Sequence, residues 1–230
     1  MTFAAGLALS AGLIFTGLGA RPASAQEMTL LRDTETEDML QSFEAPLAKA
    51  AGVNPVPRVW LLGDSDVQAF ATYGDGGENV FIFSGIILYC KNANELIGVM
   101  AHETGHIAAG HLSRGEVGEA HAAVPMLLSM VLGAAAMALG AGEAGMAIMS
   151  AGMAVAQAQM AAFTRVQEAA ADQIAVKLLN ATHQSPMGLY STFERMAAQE
   201  AQSAYKIDKF AVDHPVGQDQ IGRASCRERV

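Results

Sequence analysis

From Thr29 to Ala51, Leu30, Leu31, Met39, Leu40, Phe43 and Leu47 recur at three- and four-residue steps, with Asp33, Glu35, Glu37 and Asp38 on the other side. This is the period of a helix with one face in a core, and Gly52 marks its end. After the turn Asn54-Pro55-Val56-Pro57, the runs Arg58 to Leu62, Val67 to Ala71 and Asn79 to Phe83 read as strands, the last two joined by the hairpin signal Gly74-Asp75-Gly76-Gly77. They predict a small antiparallel sheet, followed by a short helix from Ile86 to Cys90. Asn92-Ala93-Asn94-Glu95 is an N-cap with a carboxylate three residues on, and Leu96, Ile97, Val99 and Met100 give the next helix an apolar side, predicted from Ala93 to Ser113. Between Ala122 and Thr164 the only charge is Glu143. It divides the stretch into two Ala-, Gly- and Met-rich blocks, each long enough to span a bilayer. Helical periodicity then continues through Ile174, Val176 and Leu179.

On the helix predicted from Ala93, His102, Glu103 and His106 form an HExxH pattern. Histidines four apart lie one turn above each other on a single face, so their nitrogens can converge on one metal ion. Glu103 stands beside them as a general base for a metal-activated water. A capped core helix with an idle polar side would leave two histidines and a carboxylate buried among apolar residues, which is costly unless they are paired. Zinc in a catalytic site takes three protein ligands and one water. In the HExxHxxGxxH arrangement the third histidine would fall at 112 and a glycine at 109, where this chain has Leu112 and Ala109; His111 is out of register and reads as a cap or a support. The alternative is a carboxylate from a later helix. In Thr164 to Asp172, Glu168 and Asp172 are four apart on one face. Glu168 can ligate while Asp172 accepts a hydrogen bond from the far nitrogen of a ligand histidine. The competing reading is an exposed acidic pair, whose like charges would repel.

Composition narrows the setting. Met1 to Ala25 has an apolar run ending in Ala23-Ser24-Ala25 and is expected to be a secretory signal cleaved after Ala25, although no Lys or Arg precedes the run. Ile221 to Val230 turns abruptly arginine-rich and resembles in-frame translation of a sequencing adapter, leaving 26–220 as one domain. The net charge is −9; without Arg21 and the tail's three Arg and one Glu it is −12, which argues against nucleic acid as a partner. Cys226 lies in that tail, so Cys90 is left without a disulfide partner and reads as a small buried apolar residue; His121 and His183 match no motif.

His102-Glu103-Thr104-Gly105-His106, preceded by Asn94 to Ala101 and followed by Arg165-Val166-Gln167-Glu168-Ala169-Ala170-Ala171-Asp172, resembles the zinc metallopeptidase family that includes HtpX, the CAAX prenyl proteases and the periplasmic BepA-like enzymes. The resemblance implies an α+β, mainly helical, zincin-like (gluzincin) domain. One catalytic Zn²⁺ would be held by His102, His106 and Glu168, with Glu103 as base. Asp213-His214-Pro215 matches a His-Pro of the family, which implies that His214 faces the metal and stabilises an oxyanion. The expected substrates are misfolded or unassembled envelope polypeptides, outer-membrane proteins among them. With the signal segment, the expected location is the periplasm, with peripheral membrane association. Two rival functions attach to residues 122–164: a chaperone for outer-membrane proteins with latent proteolysis, and a membrane-integrated peptidase. The same segment can instead fold as a buried helical pair or as a lid over the metal.

Overall fold

The computed structural model describes residues 29–74 and 76–202. The proposed signal segment, His214 and the adapter-like tail lie outside them. The elements are α1 (Thr34–Ala51), β1 (Arg58–Leu62), β2 (Ala69–Gly74), β3 (Gly77–Phe83), α2 (Ser84–Tyr89), α3 (Ala93–Ala108), α4 (Gly115–Ala138), α5 (Gly142–Ala181) and α6 (Met187–Gln202). This is the mainly helical α+β arrangement expected.

The first helix starts later than its apolar period suggests. Asp33 caps it by accepting from the backbone N–H groups of Glu35 and Thr36. Leu30 and Leu31 instead run alongside β1, with the Leu31 N–H donating to the Leu61 carbonyl at 2.9 Å. Gly52 closes α1 in the left-handed conformation, φ 72°.

The sheet is mixed, which corrects the antiparallel expectation. Its order is β1-β3-β2; the β2–β3 hairpin is antiparallel, as the glycine turn predicts, but β1 lies on the far side of β3 and runs parallel to it. Val59 and Leu61 alternate with outward residues whichever way the strand runs, so periodicity says nothing about direction. The register pairs Trp60 with Phe81, and the Trp60 indole N–H donates to Asn79 Oδ1 at 2.9 Å.

The middle of the domain is α3, buried from Glu95 to Ile107 and packed by α1, α5, α6, β2 and β3. Asn92 accepts from the Glu95 N–H at 3.1 Å, and the Glu95 carboxylate accepts from the Lys91 N–H at 2.7 Å. The helix ends at Ala108 rather than Ser113 because Gly110 turns the chain at φ 68°, and the His111 N–H closes back on the His106 carbonyl. Arg195 clamps α6 onto α3 with two 2.8 Å hydrogen bonds to Glu95, holding that carboxyl down at about 2. Two close approaches depend on glycine: a Cβ on Gly98 would lie 2.7 Å from the Leu189 backbone N, and one on Gly105 2.7 Å from the Ala171 carbonyl oxygen of α5.

On the far side of α3, Glu44 of α1 is fully buried. Burial pushes its pKa up to about 8 against the opposing hydrogen bond from Thr104, with the nearby Glu103 charge adding to the rise. The Thr104 oxygen lies 2.9 Å from Glu44 Oε1 and 2.8 Å from the Met100 carbonyl. Because a hydroxyl has one proton, a protonated Glu44 can donate to Thr104 while Thr104 donates to Met100.

The folded pKa of Glu44 lies above its ordinary 4.5, so its stabilising contribution is complete below pH 4.5 and is lost as pH rises through about 8. Glu44→Gln is therefore expected to flatten the fall in melting temperature between about pH 5 and 9. Parallel curves for parent and variant would show that Glu44 does not titrate in this window.

Candidate metal centre

His102 and His106 project from the middle of α3, and Glu168 reaches them from α5; all three are buried. The helical period places the histidines one above the other, and the contact of α5 with Gly105 brings the carboxylate alongside. The two Nε2 atoms are 3.1 Å apart, and Glu168 lies 3.3 Å from His102 Nε2 and 3.5 Å from His106 Nε2.

The outer nitrogens have partners of their own. His102 Nδ1 lies 3.0 Å from Asp172 Oδ1, and His106 Nδ1 lies 3.1 Å from His111 Nδ1. A carboxylate only accepts, so His102 donates from Nδ1 and its Nε2 is left as an acceptor. The same assignment at His106 has His111 accepting through a neutral ring. Burial, aided by the His106 charge, pulls the His111 pKa down to about 4, which keeps it neutral at physiological pH. Burial also lowers the pKa of His106. At His102 burial acts in the same direction, but hydrogen bonds and charge from Asp172 and Glu168 outweigh it and raise the pKa well above the usual range.

These residues fit a bound metal. Two imidazole nitrogens and a carboxylate oxygen are a zinc donor set, and zinc bonds of 2.0–2.1 Å in a tetrahedron put neighbouring ligand atoms about 3.3 Å apart, close to the 3.1 to 3.5 Å seen. The carboxylates around His102 call for a positive charge among them, which its raised pKa supplies as a proton and a bound metal would supply in its place.

A cavity of about 260 Å³ opens in front of the cluster. Phe70 and Ala71 of β2 form one wall and Thr164, Gln167 and Glu168 of α5 another, while Glu103, His106, His111 and Leu112 complete it. Glu103 is thus part of the cavity wall, although it is itself almost fully buried. The structure brings together His102, Glu103, His106, Glu168 and Asp172. His121 and His183 are exposed and outside the site. His111, read from sequence only as a cap or support, meets the His106 ring at 3.1 Å; its position five after His106, just beyond a glycine, was the available signal. The contribution of Phe70 and Ala71 had no local signal.

The family profile described as Peptidase family M48 matches residues 34–227. The beta-barrel assembly-enhancing protease of Escherichia coli strain K12 is 27% identical over 199 residues, covering 86% of this chain and 40% of that protein. A putative beta-barrel assembly-enhancing protease of Vibrio cholerae is 30% identical over 183 residues, 80% of this chain and 36% of the relative. Protease HtpX of Shewanella baltica is 36% identical over 85 residues, 37% of this chain and 29% of the relative. The chain therefore spans well under half the length of these relatives.

Glu168→Ala is expected to lower bound metal sharply after dialysis against a weak chelator, measured by elemental analysis; unchanged content would remove Glu168 from the ligand set. Gly105→Ala should act on the same centre from outside it. A methyl directed at the Ala171 carbonyl pushes α5 away, costing about 1–3 kcal/mol of stability and weakening metal retention, whereas full retention would show that the helices can part without moving Glu168.

Proposed function

This chain belongs to peptidase family M48, and on that premise we propose that it is a zinc-dependent endopeptidase acting on misfolded or unassembled envelope polypeptides in the periplasm. The observation that carries the reading is the buried His102–His106–Glu168 cluster with Glu103 beside it in the cavity wall.

A bound zinc supplies Lewis-acid polarisation of the scissile carbonyl and lowers the pKa of a water. Glu103 takes the proton from the attacking water and passes it to the leaving amine, the exchange for which a carboxylate in a shielded cleft is suited. Asp172 and His111 keep both ligand rings turned inward by holding their outer nitrogens. His214 is assigned to the developing oxyanion on the strength of the family's His-Pro pattern.

Substrate binding follows from the sheet. β2 lies at its edge, with Phe70 and Ala71 in the cavity wall. An extended polypeptide can pair with such an edge through its backbone, so recognition depends little on side chains and favours unfolded chains. The names of the beta-barrel assembly-enhancing relatives support outer-membrane proteins as one substrate class.

Glu103→Gln is expected to retain zinc while cleavage of casein or of a denatured β-barrel protein falls by about 10²–10⁴-fold. A metal-loaded variant that cleaves as fast as the parent would refute the assignment.

A further inference from the structure

We infer that the α4–α5 hairpin crosses a lipid bilayer and holds the metal centre at the membrane surface; the cleavage of polypeptide there rests on the peptidase reading, whereas the insertion does not. The hairpin is not the buried helical pair that the sequence allowed. Its two helices pack against each other through small residues: a Cβ on Gly133 would lie 2.7 Å from the Gly145 carbonyl, and Gly152 sits against Ser129. Met137 and Met149 also reach into that seam, but most of the large apolar side chains point the other way. Leu127 and Leu128 are 58% exposed, Val131 67% and Leu132 51% on α4, and Met146 and Met153 are exposed on α5. A helical pair in water buries its large side chains and displays its small and polar ones; this pair does the reverse, as helices packed within lipid do.

Several independent features select lipid as the occupant. The apolar leg Gly118–Ala138 has 21 residues, about 31 Å of helix at 1.5 Å per residue against a hydrocarbon core of about 30 Å. No charge occurs between Glu119 and Glu143 or between Glu143 and Arg165, so charges stand at the base and beside the tip turn alone. The hydroxyls in between are satisfied without water: Ser129 donates to the Met126 carbonyl at 2.8 Å and Ser150 to the Ala147 carbonyl at 3.0 Å. Gln157 and Gln159 lie about two turns or less from Thr164, close to the headgroup level.

The breadth of the surface argues against a second copy or a folded client. At 100° per residue, the exposed apolar positions from Val124 to Leu132 cover about 240° of the circumference of α4. A protein partner covers one side of a helix, but a fluid hydrocarbon surrounds it. Because α5 runs unbroken from Gly142 to Ala181, Glu168 stands about one turn beyond Thr164 at the hairpin base. The cavity that contains both residues would therefore open beside the headgroups, where polypeptide segments enter or leave the bilayer.

The test uses the full chain reconstituted with phosphatidylethanolamine–phosphatidylglycerol vesicles, followed by flotation and alkaline carbonate extraction. The parent is expected to stay with the vesicles through carbonate. Leu128→Lys/Val131→Lys, with both charges on the lipid-facing side, should move to the soluble fraction with its metal content unchanged. A fluorophore attached through Leu132→Cys should be quenched by lipids spin-labelled in mid-chain, and this arm does not depend on folding of the double variant. Carbonate release of the parent, as monomer or oligomer, would overturn the proposal, and so would a double-lysine variant that remains as firmly bound. Partitioning requires no peptide cleavage, so failure here leaves the peptidase assignment standing.

Discussion

Two imidazoles and a carboxylate meet in a buried cluster, and the architecture serves to bring them there. His102 Nε2, His106 Nε2 and the Glu168 carboxylate lie 3.1 to 3.5 Å apart, a spacing that suits ligands around one cation. Holding them requires α3 to be buried along nearly its whole length, a glycine at 105 so that α5 can approach, and partners at the outer nitrogens of both rings. The ion pair of Glu95 with Arg195 and the Glu44–Thr104 contact fix the same helix against α6 and α1. Glu95 stands two turns before His102 on the same face and Thr104 points to another, and at either place a buried charged or polar group is tolerated only with a partner.

The helix that delivers Glu168 also forms half of the exposed hairpin. Along α5 the environment changes from large apolar side chains facing outward to Glu168, Ala171, Ala175, Leu178 and Leu179 inside the core. One continuous helix therefore ties the orientation of Glu168 and Asp172 to whatever surrounds residues 142–164. The proposed placement of the bilayer would give the peptidase a direction from which substrate arrives, with Phe70 and Ala71 of β2 forming another wall of the cavity.

Much of the site was legible because its chemistry is local. HExxH is a statement about a single helix face, and the spacing of Glu168 and Asp172 is the same statement about another. The N-cap at Asn92, the close at Gly52 and the β2–β3 turn were likewise readable, since capping and turn geometry depend on the residues in place. Helix ends were less so: the apolar period continues through Leu30 and Leu31, yet Asp33 captures the first turn, and Gly110 ends α3 before its pattern runs out.

By itself, then, the sequence determined most of the elements, the shared face of His102 and His106 on α3, the acidic pair on a later helix and the length of residues 122–164 whose one charge is Glu143. Tertiary structure alone decided the parallel pairing of β1 with β3, the support of His106 by His111, the wall built from Phe70 and Ala71, and the outward turn of the hairpin's large side chains. The reason is physical. Periodicity records which residues share a face, but the direction of a strand and the surroundings of an apolar face are set by what packs against them, and an Ala- and Gly-rich helix carries the same pattern whether its neighbours are protein or lipid.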